Sequence, residues 1–347
     1  MLHPTSRIAA VALSALAALT LISPLAATRA AEPTYTMVAT LPSIIDGTGV
    51  RSLRYDATRN RLYAAVQSGL FWVDLSEKKP RVKGPFVRKN VVKIEFAPEL
   101  EKIFYMTADE VGYADLDRFG ESKMLKGNLT PIDIVYEPTH KELYVATRDK
   151  RLMVFDGASG RAGDDVPLQG WFATELEAIP GRVFVELADK QGLYTIDAAT
   201  HQIAPWPVTG RLFTPAYLEA DPAGEYLFAT FYREFVAIDI KRAAVIGNVV
   251  TPTVPSIGFD PGERVLIATW GDDDPPPYKI RAYRPGADGL TEIARLENPR
   301  VGISGVEPTS HGFVQSGHLA LLVWSSQPGQ MFQLTAPNRQ KSPHRLP

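Results

Sequence analysis

The chain has 347 residues, of which 45% are hydrophobic, and it carries 37 Lys and Arg against 39 Asp and Glu. This composition supplies a large core and lacks the basic excess with which nucleic-acid-binding proteins neutralise phosphates. The sequence contains no Cys, which excludes disulfides, thiolate zinc sites, a cysteine nucleophile and iron–sulfur ligation.

Residues 1–30 have the layout of a secretory signal peptide. One Arg precedes an Ala- and Leu-rich run over 8–23, Pro24 ends the run, and small residues flank Arg29. The run is shorter than the roughly 20 apolar residues that span a bilayer, so we expect cleavage near Ala30. The alternative is an uncleaved N-terminal anchor. We expect the product to be periplasmic or secreted and to have no stable membrane insertion.

A repeat of about 41 residues follows the leader. In five successive copies, a short, mostly apolar strand segment is followed by an aspartate: Asp74, Asp115, Asp156, Asp197 and Asp239. Two weaker copies near 283 and 333 bring the number to seven. Turn residues separate short β-branched and aromatic runs within each copy, which favours strands and hairpins over helices. Each unit is therefore predicted to be a small antiparallel meander.

Units of this size cannot bury both faces alone, and packing them around an axis solves that problem. We predict an all-β, seven-bladed β-propeller of four-stranded antiparallel blades over residues 31–337. The strand-like segment 35–41 is expected to close the ring as the outer strand of the seventh blade. Residues 338–347 are polar and basic and are expected to form a disordered tail. A solenoid of stacked meanders is the structural alternative.

Two parts of the repeat resemble a known family. They are the strand Leu143-Tyr144-Val145-Ala146-Thr147 and the Asp-ended strand with its turn, Asp197-Ala198-Ala199-Thr200. Both resemble the YncE-like, YVTN-repeat class of seven-bladed periplasmic propellers, over residues 35–336. Structural relatives of that class include the propeller chains of quinoprotein amine dehydrogenases. The resemblance implies an exported ring that binds a partner by itself or serves as the non-catalytic propeller of a redox complex.

Candidate binding residues gather on one rim of the predicted ring. If the first strand of each blade is innermost, the loops between second and third strands share a rim with the connections that enter each blade. Aromatic and arginine side chains are enriched at recognition surfaces. Those on this rim are Arg148, Trp171, Arg211, Phe213, Tyr232, Arg233 and Trp270. For the aromatic residues, packing between blades is the alternative.

Two sets of carboxylates are candidate ligands for Ca²⁺, which prefers oxygen ligands. One set lies at equivalent positions of the innermost strands and points, by alternation, away from the core: Glu95, Glu177 and Glu219. The other lies in a loop of the sixth blade: Asp272, Asp273 and Asp274. The alternatives are a water-filled channel or ion pairs with Arg54 and Lys93 for the first set, and a solvated loop for the second.

The sequence lacks a serine-hydrolase elbow and a histidine pair with metal-ligand spacing, and no cofactor is identifiable from it. We therefore expect a binding or scaffold protein that engages a protein partner or a small molecule at the rim and axial opening, without nucleic acid. One alternative is a metal-dependent hydrolase or lactonase-like enzyme with the axial carboxylates as ligands. The other is the non-catalytic propeller subunit of a quinoprotein amine dehydrogenase-like complex.

Overall fold

A computed structural model of the chain describes residues 36–41, 50–77, 82–118, 121–127, 129–188, 193–208, 215, 217–270, 278–298, 303–309, 312–317 and 321–325. The described residues all belong to one compact unit within 33–347. The predicted signal peptide and tail lie outside the described residues. Within those residues, no helix is long and apolar enough to cross a membrane.

The described residues form 27 strands and a short 3₁₀ helix at Pro98–Leu100. They confirm the prediction of an all-β chain built from repeated four-stranded antiparallel sheets. There are six four-stranded sheets and one three-stranded sheet. Sheet 1 contains β2 (Ser52–Asp56), β3 (Arg61–Val66), β4 (Gly69–Asp74) and β5 (Val82–Val87). Sheet 2 contains β6 (Lys93–Ala97), β7 (Lys102–Met106), β8 (Val111–Asp115) and β9 (Ser122–Met124). Sheet 3 contains β10 (Pro131–Glu137), β11 (Glu142–Thr147) and β12 (Leu152–Asp156).

Sheets 4 to 7 continue the same order along the chain. Sheet 4 contains β13 (Ala173–Ile179), β14 (Arg182–Leu187), β15 (Leu193–Asp197) and β16 (Gln202–Pro205). Sheet 5 contains β17 (Tyr217–Ala220), β18 (Tyr226–Phe231), β19 (Glu234–Asp239) and β20 (Ala244–Val250). Sheet 6 contains β21 (Ser256–Asp260), β22 (Val265–Trp270), β23 (Tyr278–Gly286) and β24 (Gly289–Asn298). Sheet 7 contains β25 (Ile303–Thr309), β26 (Gly312–Gly317), β27 (Leu321–Ser325) and the N-terminal β1 (Thr36–Leu41).

The repeated aspartate ends the third strand of its sheet and turns the chain. Ser76 N donates to Asp74 Oδ1 at 2.9 Å, and Arg242 N donates to Asp239 Oδ1 at 2.7 Å. A short acidic side chain that accepts from the backbone two or three residues ahead favours a turn over further strand. This local bond explains why the aspartate recurs at the same place in successive units.

Sheet 3 departs from the predicted four strands. Where the fourth strand was expected, residues 157–168 make two isolated bridges with the preceding strand, Leu152 to Val166 and Phe155 to Ala162. The segment contains three glycines and a proline. Glycine adds backbone entropy and no packing surface, and proline removes a ladder donor, so regular pairing is not sustained.

The core lies between successive sheets. One buried cluster joins Tyr63 and Trp72 of sheet 1 to Ile94 and Tyr105 of sheet 2. Similar clusters join sheets 2 and 3, 3 and 4, 4 and 5, and 5 and 6. Sheets 1 to 6 therefore bury faces against their neighbours in the chain, as expected for units that cannot form a core alone.

The first strands of the sheets lie side by side. The first strand of each sheet contacts the first strand of the next, and β25 contacts both β21 and β2. At the other edge of sheet 7, β1 pairs antiparallel with β27, with Met37 opposite Trp324. These strands position the groups of the candidate site.

Candidate functional site

The loops between second and third strands meet the connections that enter the sheets. Arg148 N donates to Thr130 O at 2.9 Å, and Thr251 N donates to Arg233 O at 2.8 Å. Both bonds lie at the end of the molecule where first strands begin. We call this end the entry rim; it comprises the starts of the first strands and the loops 67–68, 107–110, 148–150 and 232–233.

Polar and ionisable residues recur at every second position of the first strands. The outer tier, at the entry rim, pairs with the fifth residue of each second strand: Ser52, Lys93, Asp133, Glu175, Tyr217 and Ser256. The inner tier lies two residues further along each strand: Arg54, Glu95, Val135, Glu177, Glu219 and Gly258. In sheet 7, Glu307 takes the inner-tier register position opposite Val314.

A cavity of about 350 Å³ lies among the outer tier. All six outer-tier residues line it, together with Arg54 and Thr230. Apolar residues that precede the outer-tier positions form its outer part: Val50, Val92, Ile132, Val254 and Pro255. The cavity thus has an apolar entrance and a polar interior, which is the usual arrangement of a ligand pocket.

Asp133 connects three sheets at this cavity. Its Oδ1 lies 2.5 Å from Lys93 Nζ of sheet 2 and accepts from Ile134 N at 2.9 Å. Its Oδ2 accepts from Leu176 N of sheet 4 at 2.8 Å. Burial opposes the charge of Lys93, yet the surrounding carboxylates, Asp133 foremost, hold its pKa above the usual value. Lys93 therefore stays protonated.

The inner tier contains a second ion pair. Arg54 Nη2 donates to Glu95 Oε1 at 2.9 Å, and Lys93 Nζ lies 3.9 Å from the same oxygen. The side chain of Glu95 is 10% exposed. Glu95 therefore has two cations beside it, as the ion-pair alternative from the sequence anticipated for this residue.

Glu219 is held by hydrogen bonds from its own strand and the next sheet. Tyr217 Oη donates to Glu219 Oε2 at 3.1 Å, and Phe259 N donates to Glu219 Oε1 at 3.2 Å. Burial raises the pKa of Glu219, and Arg54 partly offsets that rise. The carboxyl group is thus fixed in place while its charge is disfavoured.

The carboxyl groups of neighbouring first strands disfavour one another's charge. Burial, with a contribution from Asp133, raises the pKa of Glu175 to about 8. Burial, with contributions from Glu219 and Glu95, raises the pKa of Glu177 well above its ordinary value. Desolvation and neighbouring like charges both favour the neutral acid. Such perturbed pairs are characteristic of functional sites, and structural ion networks also produce them.

Thr230 contributes a hydroxyl without a partner to the same cavity. Its side chain is fully buried, and Oγ1 has no hydrogen-bond partner among the described residues. Thr230 pairs with Tyr217 across β17 and β18, so the two side chains share one face of the sheet. A buried hydroxyl left unbonded costs free energy, which a bound polar group would recover.

The three axial glutamates predicted as metal ligands are brought into one neighbourhood, as the pKa shift of Glu177 by Glu219 and Glu95 indicates. Within the described part of the chain, no three acidic or histidine side chains are arranged to hold a metal ion. The second predicted set, Asp272, Asp273 and Asp274, lies outside the described residues. The calcium hypothesis stays a prediction.

The predicted binding residues of the entry rim occupy different environments. Tyr232 is 73% exposed, and the guanidinium of Arg233 lies 5.4 Å from its ring centroid. Arg148 is exposed. Trp171 is half-buried against Tyr194, with ring centroids 5.5 Å apart, and Trp270 is 7% exposed within a core cluster.

The tryptophans therefore pack, as the sequence alternative stated, whereas Tyr232, Arg233 and Arg148 are accessible. Arg211 and Phe213 lie outside the described residues. Arg148 also lines a shallow pocket of about 390 Å³ that shares Val92, Met106 and Ile132 with the axial cavity. The two depressions therefore adjoin each other on the entry rim.

Sequence reasoning missed the outer-tier members of the site. Asp133, Glu175 and Tyr217 were not singled out, although each lies two residues before an inner-tier position. Applying the strand alternation two residues before Glu177 and Glu219, and before Val135, would have found them. Thr230 carried no such signal, because the second strands show similar small or polar residues at this place in several units.

No protein-family model matches the chain, and no curated protein is significantly similar to it in sequence.

Proposed function

We propose that this chain is an exported seven-bladed β-propeller, closed by its N-terminal strand, that works as a binding protein. Binding would take place at the entry rim and in the axial cavity. The proposal includes export through the predicted leader at residues 1–30 and kinship with the YncE-like, YVTN-repeat propellers. The layout of residues 1–30 motivates the proposal of export, and the resemblance of the repeat motivates the proposal of kinship.

Several contacts support the ring. Seven sheets follow one another, with buried clusters between successive sheets from 1 to 6. The first strand of sheet 7 touches those of both sheet 6 and sheet 1, which is the neighbour relation that a closed ring requires. Pairing of β1 with β27 supplies sheet 7 with its fourth strand from the opposite end of the chain.

The observation that carries the binding function is the axial cavity beside accessible apolar and arginine side chains. Three of the large apolar residues that stay exposed belong to one region of the entry rim: Tyr232, Val250 and Val254. Val254 also lines the cavity. Exposed apolar groups beside arginine and next to a concave polar pocket are typical of recognition surfaces.

The test compares partner capture by matched variants. Immobilised protein would be incubated with extract of the compartment in which it resides, and bound proteins and small molecules would be quantified by mass spectrometry. Arg148→Ala and Arg233→Ala should lose the enriched partner while their unfolding temperatures stay near that of the parent. Lys141→Ala, at an exposed turn of the opposite end, is the control and should retain the partner.

Equal capture by all three variants would contradict binding at the entry rim. A large fall in unfolding temperature for Arg148→Ala or Arg233→Ala would assign those residues to packing instead.

A metal-dependent hydrolase is the second candidate, because Glu177 lies close enough to Glu219 and Glu95 for their charges to contribute to its raised pKa. Elemental analysis of the purified protein and thermal shifts with CaCl₂ and ZnCl₂ test it. Bound divalent metal in stoichiometric amount would favour the enzyme over the binding protein. A subunit role in an amine dehydrogenase-like complex would show as capture of a small, Cys-rich chain.

A further inference from the structure

The two axial tiers contain more acids than bases. Their described side chains include five carboxyl groups: Glu95, Asp133, Glu175, Glu177 and Glu219. They include two cations, Arg54 and Lys93, which pair with Glu95 and Asp133. Three carboxyl groups are left without an ion-pair partner among the described residues.

These three groups are Glu175, Glu177 and Glu219, and they lie on the adjacent strands β13 and β17. Burial raises the pKa of all three and thereby favours their protonated forms. A cation that entered the cavity would replace those protons and relieve the repulsion between carboxylates.

The hydroxyl of Thr230, which has no hydrogen-bond partner among the described residues, is an independent indication of a polar binding position. It lies beside Tyr217 in the cavity wall and lacks a donor or acceptor among the described residues. Tyr217 Oη already donates to Glu219, so its oxygen remains able to accept. Glu175, Thr230 and Tyr217 thus offer three acceptors to a group with three donors.

The positions of apolar and acidic residues along the cavity indicate which kind of cation fits it. The apolar residues Val92, Ile132 and Val254 precede the outer-tier positions, and the carboxyl groups of the two tiers follow them along the strands. Lysine has the matching order, with an apolar stem and a terminal ammonium that has three donors. A bare metal ion would make no use of the apolar entrance.

We propose that the axial cavity receives the lysine side chain of a bound polypeptide, with its ammonium beside Glu175, Thr230 and Tyr217. This inference rests on the binding function proposed above and deepens it by naming the chemistry that the partner presents. The exposed residues Tyr232 and Val250 on the same rim provide a surface for the flanking backbone and side chains.

Lysine binding should be linked to proton release. The charged and titratable groups around Glu175 come from five strands: Lys93, Glu95, Asp133, Glu177, Glu186, Tyr217 and Glu219. With the pKa of Glu175 at about 8, an ammonium that binds its carboxylate at pH 6 to 7 must displace a proton. Affinity should therefore rise by up to about tenfold per pH unit until about pH 8 and then level off.

Calorimetric titration of the purified full chain with a blocked Gly-Lys-Gly tripeptide tests the inference. The matched probe is the same tripeptide with norleucine, which keeps the apolar stem and lacks the charge. The lysine peptide should bind at least tenfold more tightly and release protons, measured as a dependence of the heat on the ionisation enthalpy of the buffer. Butylammonium chloride and CaCl₂ are the further probes.

Variants assign the binding to these residues. Glu175→Gln and Thr230→Val should each weaken lysine-peptide binding by about tenfold, and Glu175→Gln should remove the proton release. Glu263→Gln is the control and should bind like the parent, because Glu263 lies in the exposed turn between β21 and β22, at the opposite end of these strands from the cavity residue Ser256. The pH series on the unmodified protein provides the same evidence if a variant fails to fold.

Equal binding of the norleucine peptide, or loss of binding in none of the cavity variants, would overturn the inference. If butylammonium binds as tightly as the lysine peptide, the ligand is a free amine and the proposed polypeptide ligand is wrong. Calcium binding without lysine binding would favour the metal site. Any of these results would leave the entry-rim capture experiment unaffected, so the two proposals fail separately.

Discussion

Replacement of Asp133 by Ala should be among the more destabilising substitutions in this molecule. Asp133 accepts from Lys93 Nζ and from the backbone N–H groups of Ile134 and Leu176, and its side chain is 5% exposed. The substitution leaves the Lys93 ammonium without its nearest counter-ion and Leu176 N–H without its acceptor. Both groups lie in the interior, where water replaces the lost partner poorly.

The expected loss is about 4 kcal/mol. Removing one partner of a buried ion pair costs about 3–5 kcal/mol. This figure already includes most of the cost of leaving the hydrogen-bond donors without an acceptor. With an unfolding entropy of about 2.1 cal/mol/K per residue over about 300 folded residues, such a loss lowers the unfolding temperature by roughly 6 °C. The unfolding temperature of Asp133→Asn should lie between those of Asp133→Ala and the parent, because the Asn side chain keeps one acceptor oxygen.

Differential scanning calorimetry at pH 7 provides the measurement, and Asp117→Ala is the matched control. Asp117 pairs with Arg59 at 3.0 Å but its side chain is 53% exposed, so its loss should cost less than about 1 kcal/mol. A shift for Asp133→Ala no larger than that of Asp117→Ala would refute the view that this carboxylate ties the three sheets together.

Three further predictions concern the fold and its charges. Since the pKa of Glu175 is raised from 4.5 to about 8, the native state keeps a proton that the unfolded chain releases in this range. The unfolding temperature should therefore fall as pH rises from 4.5 to about 8, and it should fall less in Glu175→Gln. The same dependence of unfolding temperature on pH in both proteins, measured by differential scanning fluorimetry, would contradict this prediction. Gly69→Ala places a Cβ 2.2 Å from Val87 O and should cost more than about 3 kcal/mol, whereas Gly181→Ala meets no atom within 4 Å and should cost about 1 kcal/mol in chemical denaturation. Deletion of Thr36–Leu41 should destabilise the whole ring, and an unchanged urea midpoint would argue against closure by this strand.

The strand pattern was predictable because its causes are local. The aspartate that ends a third strand acts through a bond to a backbone donor two or three residues away, as for Asp74 and Ser76. Alternation within strands of four to seven residues likewise placed Glu95, Glu177 and Glu219 on equivalent positions. The missing fourth strand of sheet 3 depended on glycine content that the repeat length alone did not report.

The environment of individual rim residues was not predictable from the sequence. Trp270 and Tyr232 both lie near the ends of second strands, yet Trp270 is 7% exposed and Tyr232 is 73% exposed. The difference arises from the neighbouring sheet, since Trp270 packs with Phe228 and Phe259 in a cluster that joins sheets 5 and 6. Contacts across sheets connect residues distant in sequence, and a single sequence does not record them.

The axial acids are difficult to explain by stability. Apolar groups at buried ionic positions are often neutral or stabilising, and the adjoining strand positions already hold Leu176 and Leu218, both fully buried. Burial, with a contribution from neighbouring carboxylates, raises the pKa values of Glu177 and Glu219, so both groups destabilise the native state as pH rises. The cationic occupant proposed above would turn this cost into affinity. The energetic cost of the buried acids and the proposed preference for an ammonium ligand are therefore two consequences of the same arrangement of residues.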